Sequence, residues 1–311
     1  MSFDRLQEKI DKLQNPTVVG LDPALEHIPP QILEKHIATK GETFEAATAA
    51  VCEFNAGLID ALCDIVPAVK PQSAYYEILG PEGVWALKMT CAYAKSKGMY
   101  VICDGKRNDI GSTAGAYSSA YLGTTKIGNA ELRAFDADAL TVNAYLGSDG
   151  IKPFIEMAQK HDKAVFALIR TSNPSAVELQ DMTVARKGES PPDPELTLYT
   201  AVGDLMEEIS RETIGKYGFT RVGAVVGATY PQEAEFLRLR LKHTFFLVPG
   251  YGAQGGSAAE AARAFDENGR GAIINSSRGI IAAWKKTGED YAKAARAEAL
   301  RMRDELRNCL C

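Results

Sequence analysis

Eight short runs of apolar and β-branched residues, spaced along the whole chain, constrain the fold more than any other feature. They lie at 17–21, 65–69, 100–103, 139–142, 164–169, 222–226, 245–248 and 271–274. Each has the usual length of a strand. They alternate little between apolar and polar, as expected of parallel strands buried on both faces. Between them lie stretches rich in Ala, Leu, Glu and Lys, at 44–62, 83–97 and 258–267. Ser257-Ala-Ala-Glu260 is a capping-box sequence and predicts a helix start just after the seventh run. Strand and helix in alternation imply a parallel sheet with crossover helices. A count of eight predicts an α/β chain folded as one closed (β/α)8 TIM barrel rather than an open doubly wound sheet. No G-x-G-x-x-G follows the first run, which counts against dinucleotide binding.

The chain has 311 residues, within the range of a single barrel. Two departures from the regular march are expected. Residues 171–194, rich in Pro, Ser, Asp and Glu, predict an extended loop, and 195–217 a helix after it. Together they form a loop-helix insertion over about 172–220. A charged, Ala-rich helix is expected near the end of the chain, over about 284–307, its clearest part being 291–306.

A net charge of −5 argues against a long nucleic acid as partner, which needs a basic face, and leaves room for a single phosphate ester. The six cysteines form no C-x-x-C pair and no His cluster accompanies them, so reduced thiols are expected. The first residues are charged and lack an apolar signal-peptide core, and no apolar run is long enough to span a bilayer. A soluble, cytoplasmic protein without a membrane partner is expected.

In barrels of this kind the chemistry sits at the C-terminal ends of the strands. Here the first run ends at Asp22, the second at Lys70, the fourth at Asn143 and the fifth at Arg170-Thr171-Ser172. The third ends in Asp104-Gly-Lys106-Arg-Asn-Asp109. Asp104 and Lys106, two apart on an extended segment, are expected to face the same way, with Asp109 projecting from the loop beyond. With Lys70 on the neighbouring strand they suggest a row of alternating charge. D-x-K-x-x-D alone occurs by chance in about one chain in fifteen of this length, and a structural salt bridge would explain it. Its place at a strand end, next to Lys70, is what points to chemistry. A second constellation follows the seventh and eighth runs. It is the glycine-rich stretch 249–256, with Gln254, and then Arg278-Gly279. Glycines let main-chain N–H groups approach an anion, and an arginine fork grips phosphate.

These residues carry a resemblance. Val19-Gly-Leu-Asp22-Pro, Lys70-Pro-Gln-Ser-Ala-Tyr-Tyr-Glu77, Asp104-Gly-Lys106-Arg-Asn-Asp109-Ile-Gly-Ser-Thr113, Thr141-Val-Asn143-Ala-Tyr-Leu-Gly147, Pro249-Gly-Tyr-Gly-Ala-Gln254-Gly-Gly and Ser277-Arg278-Gly279 resemble orotidine 5′-phosphate decarboxylases of the longer bacterial-type branch. The resemblance implies conversion of orotidine 5′-monophosphate to uridine 5′-monophosphate and CO2, in de novo pyrimidine biosynthesis, with neither metal nor organic cofactor. It implies a charged tetrad of Lys70, Asp104, Lys106 and Asp109 in a homodimer, with Asp109 reaching into the partner's site and Thr113 lining it. Asp22 would bind the ribose, Thr171 or Ser172 the pyrimidine edge, and Gln254, Arg278 and Gly279 the phosphate, with Asn143 a further candidate at its strand end. Two rival readings stand beside this one. A Mg2+-dependent sugar-phosphate lyase of the same superfamily shares D-x-K-x-x-D but carries an acid where Lys70 stands. A non-catalytic nucleotide-binding barrel is the other.

Overall fold

In the computed structural model of the chain, residues 1–185, 196–252 and 255–310 are described. Among the described residues ten strands are present: β1 Thr17–Leu21, β2 Ala68–Pro71, β3 Tyr100–Arg107, β4 Thr125–Ile127, β5 Ala130–Leu132, β6 Ala139–Val142, β7 Ala164–Arg170, β8 Val222–Val226, β9 Phe246–Val248 and β10 Ala272–Ser276. Eight of them close a parallel barrel in the order β1-β10-β9-β8-β7-β6-β3-β2, with β1 paired to both β2 and β10. The single-domain (β/α)8 barrel expected from the eight apolar runs is therefore the fold.

Along each barrel strand the side chains step alternately out to the helices and in to the axis. Val101 and Cys103 join the outer core under the helices, while Tyr100 and Ile102 join the inner one. Both faces are apolar, so the strands do not alternate in sequence. The inner core holds Val18, Ala68, Ala139, Phe166 and Ile273 as well. Advancing two residues from Ala68, Ile102, Ala139 and Ile273 reaches Lys70, Asp104, Thr141 and Asn275. The axis thus turns polar within one layer, at the C-terminal end of the strands.

The opposite end is plugged by the helix Ser2–Leu13. Phe3 lies 4.9 Å from the ring of Phe166 and 5.0 Å from that of Phe245. This helix was not expected from the eight-unit pattern, because it belongs to no βα unit. The hairpin β4–β5 was not expected either. Its strands have three residues each, all exposed, and so carry no burial pattern.

The helix Phe44–Leu62 forms as expected, with Thr43 accepting a hydrogen bond from the Ala46 N–H. Ser257 and Glu260 form the anticipated capping box, opening a helix over Ala258–Ala262 that is shorter than expected. The helix expected at 195–217 runs only over Leu198–Ser210, and a 3-10 turn at Arg211–Thr213 replaces its end. The C-terminal helix is two helices, Trp284–Thr287 and Tyr291–Leu310, parted at Gly288 with φ of 72°. Within the insertion, the 3-10 helix Pro174–Glu178 and a bridge between Thr183 and Thr197 replace part of the expected loop. Residues 186–195 lie outside the described residues. The five described cysteines are free. Among the described residues no helix is long and apolar enough to cross a membrane.

Candidate active site

The polar layer floors a cavity of about 670 Å³ at the C-terminal mouth of the barrel. Asp104 sits at its centre. Lys70 Nζ donates to Asp104 Oδ2 at 2.7 Å, and Lys106 Nζ donates to Asp104 Oδ1 at 2.7 Å. Gln72 Nε2 donates to Oδ2 at 3.0 Å and the Thr141 hydroxyl to Oδ1 at 2.8 Å. One carboxylate therefore takes four donors, two of them cations. Burial by itself would raise the pKa of Asp104. The charges of Lys70 and Lys106 outweigh it and hold the group well below the usual carboxylate range. Burial would likewise lower the pKa of Lys70, but Asp104 and Asp22 outweigh it and raise it. Lys70 and Asp104 are thus both charged at neutral pH.

Lys106 reaches Asp104 by a route different from the one expected. The segment is not uniformly extended: Lys106 has φ of 46°, in the left-handed region. The pairing of β3 with β6 shifts register between Cys103 and Arg107. A bulge of this kind re-aims a side chain at a strand end. The Lys106 main-chain N–H donates to Thr141 Oγ1 at 2.9 Å, so the residue that steadies Asp104 also holds the bulge. Lys70 and Asp104 are buried, whereas the Lys106 side chain is 47% exposed and faces the cavity.

Asp22, Thr171, Ser172 and Arg278 line the same cavity. The Asp22 Oδ1 is buried and has no hydrogen-bond partner among the described residues. Asn275, next to last in β10, carries a buried Oδ1 with no hydrogen-bond partner among the described residues as well. Arg278 opens the helix Arg278–Ile281 at the rim and is exposed. Gly279 follows it without lining the cavity; a Cβ there would stand 2.9 Å from Ser276 Oγ. Asn143 does not line the cavity either. Its Oδ1 accepts from the Tyr145 N–H at 3.0 Å, an Asx-type turn. Gln254 lies outside the described residues.

Asp109 and Thr113 stand apart from the cavity of their own chain. The Asp109 Oδ1 accepts from the Ile110 N–H at 2.8 Å, and Thr113 is exposed on the helix Gly111–Leu122. The tetrad expected from the sequence is therefore a triad within one chain. Among the described residues no group of three or more His, Cys, Asp and Glu side chains is placed to hold a metal ion.

The sequence model of the orotidine 5′-phosphate decarboxylase / HUMPS family matches residues 19–294, from the first strand past the eighth. This chain belongs to that family. It is 41% identical over 300 residues to the orotidine 5′-phosphate decarboxylase of Rhodopirellula baltica, covering 94% of each chain. It is 39% identical over 293 residues to that of Caldicellulosiruptor saccharolyticus, covering 94% of this chain and 93% of the other. Among solved structures, the OMP decarboxylase of Leishmania donovani superposes with a TM-score of 0.71 at 29% identity, covering 99% of both chains.

Among the cavity residues to which the sequence alone assigns no role are Gln72, Gln180 and Tyr251. Gln72 stands two residues past Lys70, and its strand register pointed to it. Gln180 and Tyr251 come from loops, where no periodicity marks a side chain's direction.

Proposed function

We propose that the chain is an orotidine 5′-phosphate decarboxylase acting through its own side chains, without metal or organic cofactor. The observation that carries this reading is Asp104 held at 2.7 Å from both Lys70 and Lys106 in the floor of the cavity. The family description joins the decarboxylase to HUMPS, so the family alone leaves the substrate open. Lys70 favours the decarboxylase: an ammonium in that place repels a divalent cation.

The chemistry follows from charge. Breaking the bond between C6 of the pyrimidine and its carboxylate releases CO2 and leaves an electron pair in the ring plane, with no simple delocalisation. The Lys106 ammonium, aimed into the cavity, stabilises that pair only as it develops, which is differential binding of the transition state. It then gives its proton to C6 and regains one from water. Asp104 and Lys70 keep the ammonium in place before the reaction, so little reorganisation is needed during it. Asp22 accepts from ribose hydroxyls. Ser172 and Thr171 meet the pyrimidine, and Arg278 grips the phosphate in bidentate fashion. Binding energy from the phosphate, remote from C6, is available to order the loops over the site.

Asp109 and Thr113 serve the cavity of a second copy in a homodimer. Two facts support this: neither lines its own cavity, and the large apolar side chains Ile110, Tyr117, Tyr145 and Leu146 are exposed nearby. Cytoplasmic pyrimidine biosynthesis is the setting that such a reaction fits.

The test is loss of pyrimidine absorbance when purified protein meets orotidine 5′-monophosphate in excess EDTA. Turnover that disappears in Lys106→Ala is the expected result. Silence in EDTA, with activity on a sugar phosphate once Mg2+ is restored, would replace this reading with the lyase. Silence in both conditions from a folded protein would leave a binding barrel.

A further inference from the structure

The segment after β7 brings a long insertion against the cavity, and one of its side chains is bonded to the site in a directed way. Gln180 Oε1 accepts from the Thr171 main-chain N–H at 2.9 Å, and Gln180 Nε2 donates to Thr171 Oγ1 at 2.7 Å. The Thr171 hydroxyl spends its proton on Asn173 Oδ1 at 2.6 Å. Gln180 in turn is held from behind. Arg170, with a fully buried side chain, donates to Gln180 Oε1 at 3.4 Å and pairs with the neighbouring Asp181 at 3.2 Å. The same guanidinium lies 3.9 Å from the centroid of the Tyr230 ring, beyond β8. On the other side of the segment Gly227 leaves no slack, because a Cβ there would stand 2.9 Å from Ser172 Cα.

We propose that Gln180 is a positioning residue for the Thr171–Ser172 strand end, fixing this wall of the cavity where the pyrimidine edge lies, with Arg170 fixing Gln180. The insertion then has a task in recognising the base. Thr171 takes part as a structural link, its hydroxyl proton already committed, and Ser172 lines the cavity beside it. A wall read in this way discriminates sharply, since a misplaced donor or acceptor leaves polar groups unpaired. The inference rests on the decarboxylase reading.

Gln180→Ala and Gln180→Glu, in the full chain, separate the possibilities. Gln180 is only part-buried, on a loop, so both variants should fold. Binding of uridine 5′-monophosphate and of ribose 5-phosphate would be measured by calorimetry, with kcat and KM on orotidine 5′-monophosphate. We expect Gln180→Ala to lose about tenfold in affinity for the nucleotide, and at least as much in kcat/KM, as for one lost directed hydrogen bond. Ribose 5-phosphate binding should stay within about twofold of the wild type, because its contacts lie elsewhere. Gln180→Glu, which keeps the acceptor for the Thr171 N–H and loses the donor to its hydroxyl, should fall between. Unchanged nucleotide binding in Gln180→Ala, or equal losses for both ligands, would overturn the assignment while wild-type turnover left the decarboxylase reading intact. A wild-type chain that neither binds the nucleotide nor turns over its precursor would remove both.

Discussion

Asp104 shows how little of its neighbourhood each substitution should disturb. Without Lys106 it keeps three donors, from Lys70, Gln72 and Thr141. Lys106→Ala is therefore expected to change stability by under about 1 kcal/mol, since the Lys106 side chain is half exposed and its partner Asp104 remains satisfied. The same variant should lose at least about 10²-fold in kcat through the missing charge at C6. Urea denaturation beside steady-state kinetics checks the pair. Asp104→Asn is the opposite case. It leaves Lys70 buried without the carboxylate charge it is bonded to, and should cost about 3 kcal/mol or more in the same denaturation experiment. The pH dependence has a definite sign. Asp104 has a folded pKa below its unfolded value, so the unfolded chain binds more protons between the two. Its contribution is complete above about pH 4 and is lost as pH falls through the folded value. Lys70, with its pKa raised, contributes fully below its unfolded value and loses that contribution only as pH rises through the folded one. Wild-type stability should fall more steeply below about pH 4 than that of Asp104→Asn; parallel curves would contradict the assignment. Residue types and strand ends made this charge row legible in the sequence. The conformation that completes it was not legible, because nothing in Asp-Gly-Lys announces a lysine at positive φ.

Among the elements, strands were far easier to foresee than their surroundings. A strand buried on both faces must be apolar throughout, so β1, β6 and β8 are found at their expected bounds. The end of β3 is longer than expected because it turns polar where it enters the cavity, and that of β7 because it closes on the buried Arg170. The three-residue strands of the exposed hairpin have no such signature. Helix ends escaped as well, since Gly288 ends a helix by its backbone geometry inside a run of favourable helix formers. The barrel also sets a demand on small residues. A Cβ on Gly223, in β8, would stand 2.5 Å from the Phe245 carbonyl oxygen and 2.6 Å from the Phe166 ring. Neither neighbour is the free end of a flexible chain, and both belong to the inner packing beneath the cavity. Gly223→Ala should destabilise the fold by about 1–3 kcal/mol, measured by urea denaturation. A neutral result would mean that β8 shifts freely along β9.

At the scale of the whole molecule, the separation of Asp109 from its own cavity makes a prediction that a monomer fails. In the proposed homodimer, Lys106→Ala and Asp109→Ala should each be inactive on their own. Mixed and allowed to exchange subunits, they form heterodimers in which one site carries both defects and the other carries none. Roughly a quarter of wild-type activity should return, the share of intact sites after random pairing in a two-fold assembly. No recovery despite proven exchange would place Asp109 in the cavity of its own subunit. Barrel closure bears equally on how such a chain comes into being. β1 is hydrogen-bonded to β10, so the seam joins residue 17 to residue 274. During synthesis the strand made first waits for the strand made last. Until residues 272–276 have left the ribosome, one flank of β1 offers unpaired N–H and C=O groups to any passing chain. A slow decoding step late in the message would prolong that exposure, and a holding chaperone acting before the eighth strand emerges would shorten its reach.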